Sequence, residues 1–188
     1  MSKGWFRVPG VRPKGDRSIE EQMLGLGPAL DECKGKTVLD LGCAEGALGR
    51  EFVKAGAVDV LGIEALESHL DVALQYCKDF MPPMRFVCAK LEKYMPAHEP
   101  PEQFDIVLNL GVAHKVRDPN TVMRWACRSA RDLVCFRGCA AYWDGWFEAK
   151  RGGVRCHVPT VMGEQGFAFE KKIAGARGEA VEYWRRQK

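Results

Sequence analysis

Apolar residues along this chain fall into alternating rhythms. Ile19, Met23, Leu26 and Leu30 recur three or four positions apart, which predicts one amphipathic helix from residue 17 to about residue 31. Gly35-Lys36 then turns into a continuous apolar run, Thr37–Leu41, with the length and composition of a buried strand. Leu48, Phe52 and Ala55 place one helical face on that strand, and Gly56 ends the helix. Residues 58–63 read as a second strand closing on Glu64. Leu66, Leu70, Ala73, Leu74 and Cys77 mark the next helix, which Pro82-Pro83 breaks ahead of a third strand over 84–89.

Pro96, Pro100 and Pro101 make 95–103 a predicted loop, and 104–108 a fourth strand. Asp118-Pro119 is a helix start: the carboxylate can cap, and proline suits the first helical position. Val122, Trp125 and Ala126 give that helix a buried face before a fifth strand at 132–136. After Gly138 the pattern is less regular until 166–173 and 179–185, which bracket Ala174-Gly175-Ala176-Arg177-Gly178 as an antiparallel hairpin. The expected fold is therefore α/β. It is a mostly parallel seven-stranded sheet with helices on both faces and an antiparallel hairpin at the C-terminal edge. Gly4, Pro9, Gly10, Pro13 and Gly15 give residues 1–16 the look of an irregular arm on a single domain spanning 1–188.

Composition adds bounds rather than a function. The 188 residues suit one core, with 46% hydrophobic and 28% charged residues in an ordinary globular balance. No apolar run nears the roughly 18 residues of a membrane helix, and Met1 to Arg7 lacks a signal-peptide core, so a cytoplasmic protein with no membrane role is expected. None of the eight cysteines forms a C-x-x-C pair. Cys88 and Cys135 sit in apolar runs as small hydrophobes. Cys135, Cys139 and Cys156-His157 match no recognised zinc spacing, so no metal is expected. The net charge of +3 is too small to imply nucleic acid, although Lys3, Arg7, Arg12, Lys14, Arg17 and the closing Arg185-Arg186-Gln187-Lys188 are basic. Those termini are either solvated tails or a basic rim for an anionic partner.

The chemistry concentrates at Val38-Leu39-Asp40-Leu41-Gly42-Cys43-Ala44-Glu45-Gly46. A buried strand that opens through glycines into a helix lets the backbone approach a ligand closely. An acid ending the following strand, here Glu64, is a usual grip on ribose hydroxyls. The two together suit an adenosine-containing cofactor. The spacing does not fit the G-x-G-x-x-G fingerprint of a nicotinamide-binding domain.

These residues resemble the class I S-adenosylmethionine-dependent methyltransferases. The segment 38–46 looks like the family's first motif, Glu64 like the acid of its second strand, and 104–114 like its fourth-strand motif, in which a histidine often follows. The resemblance runs closely over 17–137. It implies S-adenosylmethionine as cofactor and a site made by Asp40, Gly42, Cys43, Ala44, Gly46, Glu64, Ala65, Ala89, Lys90, Leu91 and Asn109. Gly42 would admit the methionine moiety, Asp40 would steady the turn and meet the ammonium through water, and Glu64 would hold the ribose diol. Two positions depart from the family pattern. Ala44 replaces a glycine, and Lys90 stands where many members carry an acid for the adenine amino group. A lysine has no acceptor to offer, which leaves adenine to backbone groups at 89–91 or to Glu92.

Asn109-Leu110-Gly111-Val112 lacks the Pro-Pro-aromatic pattern of base-amine methylating enzymes, so a small-molecule acceptor is expected. An RNA-modifying methyl or carboxymethyl transferase and a catalytically silent cofactor-binding partner domain are the alternatives. His114 is the candidate general base, since imidazole titrates near working pH. The opposing reading is a histidine with no chemical role. Tyr142, Trp143, Trp146 and Phe147 either stack a planar acceptor or cover the sheet end. Trp5 and Phe6 form either a lid or part of a disordered tail.

Overall fold

A computed structural model describes residues 4–11, 14–99, 101–139 and 141–188. Lys3 and Arg12 of the basic arm, with Pro13 and the loop residue Pro100, lie outside the described residues. The chain opens on two short strands, β1 (Gly4–Phe6) and β2 (Gly15–Arg17), then two short helices, α1 (Ile19–Met23) and α2 (Gly27–Asp31). Four strand–helix steps follow: β3 (Thr37–Leu41) and α3 (Ala47–Lys54), β4 (Asp59–Glu64) and α4 (Glu67–Tyr76), β5 (Met84–Cys88) and α5 (Leu91–Ala97), β6 (Phe104–Leu110) and α6 (Pro119–Ser129). The rest comprises β7 (Ala130–Arg137), the small pair β8 (Trp146–Glu148) and β9 (Arg155–His157), α7 (Val158–Glu164), and the hairpin β10 (Phe167–Ala174) and β11 (Ala180–Arg186).

Seven strands form one sheet in the order β10-β11-β7-β6-β3-β4-β5. β11 pairs antiparallel with both β7 and β10, so it alone runs against the other six. The strand order reverses at β3, which has β4 on one side and β6 on the other. Ligands of open α/β sheets bind outside the strand carboxyl ends at such a switch point. Both sheet faces are covered. Leu39 and Leu41 pack with α6 residues Val122 and Trp125, whereas Val38 packs with Phe52 of α3 and Leu26 beside α2. This is the expected α/β sandwich, and none of the helices among the described residues is long and apolar enough to cross a membrane.

The sequence pattern misplaces four features. The single helix expected over 17–31 is two helices, because the chain turns at Gly25 (φ +84°) to pass β11. A Cβ there would lie 2.9 Å from Val181 Cγ2. The carbonyls freed by the break find distant donors: the Arg137 guanidinium donates to Gln22 O (2.8 Å) and Leu24 O (3.0 Å), and Tyr183 Oη to Gly25 O (2.6 Å). The arm is not irregular. β1 and β2 pair in parallel, and Phe6 and Val8 are buried in the core. Gly15 makes that pairing sterically feasible, since a Cβ would fall 2.2 Å from the Phe6 carbonyl carbon. The loop expected from residue 95 begins later, because α5 runs through Met95 and Pro96. Met95 is buried, and Tyr94 packs edge-on against Trp125 at 5.9 Å. Cys88, expected as a core hydrophobe, is exposed, since β5 is an edge strand.

Candidate cofactor cleft

The carboxyl ends of β3, β4, β5 and β6 border a cleft of about 370 Å³. Its floor is the turn after β3. Gly42 (φ +72°) and Ala44 (φ +49°) both take left-handed backbone conformations, so the alanine holds a geometry that normally favours glycine. A Cβ at Gly42 would press on Val112 Cγ2 at 2.9 Å, which shows how closely the loop after β6 approaches this turn. Gly46 serves packing instead. It sits outside the lining, where a Cβ would meet Phe86 Cζ at 2.8 Å. Cys43 also faces inward, against Leu70 and Ala73, and burial pushes its thiol well above its ordinary pKa.

Glu64 lies at the centre of the cleft. Its Oε2 accepts the Ala44 N–H (3.0 Å), and its Oε1 accepts those of Ala65 (2.8 Å) and Leu66 (2.9 Å). Three backbone donors thus fix the carboxylate and leave lone-pair capacity on Oε2 for a further donor. Asp40 lies beneath, buried, with Oδ2 lacking a hydrogen-bond partner. Burial first, then the Glu64 charge, raises its carboxyl pKa to about 7. Ala65, Ala89, Lys90 and Leu91 line the β5 side of the cleft. Lys90 is the N-cap of α5, and its side chain caps nothing.

Besides Asp40, Cys43 and Gly46, which are buried behind the lining, two more expected residues sit elsewhere. Asn109 does not line the cleft. Its side chain is fully buried, and Nδ2 points to Met123 Sδ at 3.1 Å under α6. This follows from strand alternation, which sends Asn109 to the same face as Val107. His114 lies in a 3-10 turn, Ala113–Lys115, and is buried outside the lining. Burial, then the charges of Lys115 and Lys150, lowers its pKa to about 4, which makes it a weak proton acceptor. The structure therefore gives His114 a structural place rather than that of the acceptor-side base. Its carbonyl accepts the Lys150 N–H (2.8 Å) and docks the loop between β8 and β9.

That loop and the arm supply the roof; the sequence pattern offers Trp5 and Phe6 as a lid, of which only Trp5 lines the cleft, and gives no sign of the loop. Arg151 comes from the loop, Lys115 from the turn after β6, and Trp5 from β1. Glu45, fully buried, latches the arm by accepting the N–H groups of Trp5 (2.9 Å) and Phe6 (3.0 Å). The Lys115 ammonium stands 4.2 Å from the centre of the Trp5 ring. Partial desolvation lowers its pKa. His69 of α4 also lines the cleft, with Nε2 3.8 Å from Glu45 Oε1 and Nδ1 4.0 Å from Glu64 Oε1. Glu45 stood in view inside the glycine motif. Its partners lie about forty positions away in sequence, and only the fold reveals them. Of the aromatics after β7, Phe147 is buried on Phe136 and Tyr142 donates to Glu182 Oε2 (2.9 Å), Trp143 and Trp146 are exposed, and none of the four lines the cleft.

A family model described as a methyltransferase domain matches residues 38–132. The ribosomal protein L11 methyltransferase of Pseudoalteromonas atlantica is 33% identical over 103 residues, which are 55% of this chain and 34% of that protein. The ubiquinone biosynthesis O-methyltransferase of Aliivibrio fischeri is 34% identical over 90 residues, 48% of this chain and 37% of that protein. The chain thus spans only about a third of the length of these curated relatives. Among solved structures, an S-adenosylmethionine-dependent methyltransferase from Mesorhizobium loti superposes with a TM-score of 0.66 at 19% identity, covering 88% of this chain and all of that one. At that identity the likeness speaks for the fold.

Proposed function

Because the chain belongs to the methyltransferase domain family, whose cofactor is S-adenosylmethionine, we propose that it carries out methyl transfer to a small-molecule acceptor held under Trp5 and Arg151. The residues present fit that cofactor. Asp40 has a buried carboxyl oxygen in want of a donor, and the cofactor's ammonium is one. Glu64 retains acceptor capacity for a ribose hydroxyl, with its carboxylate already oriented by three N–H groups. When bound, the cofactor supplies an electrophilic methyl group on a sulfonium.

The protein's part is to bind, orient and exclude water. Gly42 and Ala44 let the backbone lie against the ligand. Trp5 closes the opposite side, and such positioning supplies much of the acceleration that methyl transfer needs. His114 stands outside the cleft, so an acceptor that loses its proton readily, such as a phenol or a carboxylic acid, suits the site better than one that needs a strong base.

The observation that carries the small-molecule reading is the roof of Trp5 and Arg151 over a cleft of about 370 Å³, which, once it also holds a cofactor, has room for a small acceptor only. The termini also favour a small acceptor over RNA, since Arg17, Arg185 and Arg186 are engaged within the protein. Arg17 pairs with Glu179 (2.8 Å), Arg185 with Glu32, Glu170 and Asp132, and Arg186 donates to the carbonyls of Cys127 and Ala130. The test is transfer of labelled methyl from S-adenosylmethionine to a panel of small phenols and carboxylic acids, with total transfer RNA in parallel. Label in a small acceptor supports the reading. Label in RNA alone moves the protein to the RNA-modifying class. Cofactor binding without transfer to any acceptor points to a silent partner domain.

A further inference from the structure

The strand register places three groups in a row across the mouth of the cleft. Leu41 pairs with both Ile63 and Asn109, and Glu64 pairs with Cys88, so the ends of β6, β3, β4 and β5 lie side by side. At about 4.8 Å per strand, the β6 end is about 10 Å from Glu64. A ligand whose ribose sits on Glu64 has its remaining parts over β5 on one side and over β3 and β6 on the other. An extended amino-acid tail reaches the β6 end.

That end carries opposite charges suited to a zwitterion. Asp40, on β3, has its unpartnered buried oxygen. Lys115, on the turn after β6, lines the cleft, and among the described residues its ammonium rests on the Trp5 ring. Among the described residues no carboxylate lies within ion-pair distance of Lys115, whereas Arg17, Arg85 and Arg185 are all paired. Trp5 is itself held by the buried Glu45, so Lys115, although exposed, rests on a fixed ring. We infer that Lys115 binds the carboxylate of the cofactor's methionine moiety, with Trp5 as the platform that aims it and Asp40 on the ammonium. The inference rests on S-adenosylmethionine being the cofactor and adds the residue that fixes the direction in which it lies.

Calorimetry with two ligands tests it. S-adenosylhomocysteine carries the amino-acid tail, and 5′-deoxy-5′-methylthioadenosine carries the same adenosine and thioether without it. In Lys115→Ala, affinity for the first should fall about tenfold or more, while affinity for the second stays within about twofold. Lys115→Arg should restore most of the loss, and Lys90→Ala should leave the ratio of the two affinities unchanged. Equal losses for both ligands in Lys115→Ala, or no loss for either, would overturn the assignment. A tail-selective loss in Lys90→Ala instead would show the ligand lying in the opposite direction. Failure of the unsubstituted protein to bind either ligand would remove the cofactor reading itself.

Discussion

The two ends of the cleft are built differently. At the β4–β5 end, Glu64 is held by N–H groups of Ala44, Ala65 and Leu66, on turns that leave two neighbouring strands of one parallel ladder. At the β6 end, Trp5, Lys115 and Arg151 arrive from an arm, a turn and a hairpin loop far apart in the chain. The first end inherits its geometry from sheet register and is hard to alter without disturbing the core. The second is assembled from surface segments, each fixed by one or two hydrogen bonds, such as the Lys150 N–H on His114 O. The constant adenosine part of a ligand fits the first arrangement, and the second suits the parts that vary around it, the amino-acid tail at Lys115 and an acceptor under Arg151.

The largest effect expected comes from breaking the rigid end. Glu64→Ala should weaken S-adenosylmethionine binding by about 1.5–3 kcal/mol, through loss of hydrogen bonds to a charged acceptor. Titration calorimetry reads this directly, and unchanged affinity would take Glu64 out of the site and remove the contrast between the ends. Next comes the latch. Glu45→Ala leaves the Trp5 and Phe6 N–H groups without their acceptor, at a cost of about 1–3 kcal/mol in denaturant unfolding. Proteolysis within the first seventeen residues should quicken, while Glu64-dependent binding of methylthioadenosine persists. A cleavage rate equal to that of the unsubstituted protein would show that the arm is held by Phe6 and Val8 alone.

Asp40 gives a smaller, pH-dependent effect. Its folded pKa of about 7 stands above the ordinary 3.8, so the folded state holds the extra proton between these values. Stability of the ligand-free protein should therefore fall as pH rises from about 4 to about 7. Asp40→Asn should flatten that fall and raise the melting temperature above pH 7, by roughly 2–4 °C for each kcal/mol relieved. Parallel melting curves for the two proteins across this range would show that Asp40 is not the group responsible. The smallest effect is expected at Lys90, an exposed cap position. Lys90→Ala should change S-adenosylmethionine affinity by no more than about twofold, because its side chain offers donors only. A loss of about tenfold would bring the lysine into direct contact with the ligand.

Much of this protein could be read from its residues. The alternation of apolar runs and helical faces sets the order of β3 to β7 and of α3, α4 and α6, because period-2 and period-3.6 burial are local properties. The Gly42 turn and Glu64 were legible for the same reason: each sits at the end of a strand that its own residues define. Asn109 and His114 show where that logic stops. Asn109 lies in β6 and His114 follows it closely, yet strand alternation and a 3-10 turn bury one under α6 and the other beside Lys150. Lys115, next to His114, is the residue that reaches the cleft.

Gly25 had to bend where α1 meets β11, the arm had to dock where Glu45 was already buried, and Arg151 had to come down onto the turn after β6. None of these contacts has a local signature, since each joins segments distant in sequence through a single buried carboxylate, a carbonyl or a missing Cβ. The periodic burial that writes strands and helices into the residue order thus specifies the cofactor floor. The roof depends on which surface segments the assembled sheet brings together, because their unpaired N–H and C=O groups are satisfied only once the tertiary fold exists.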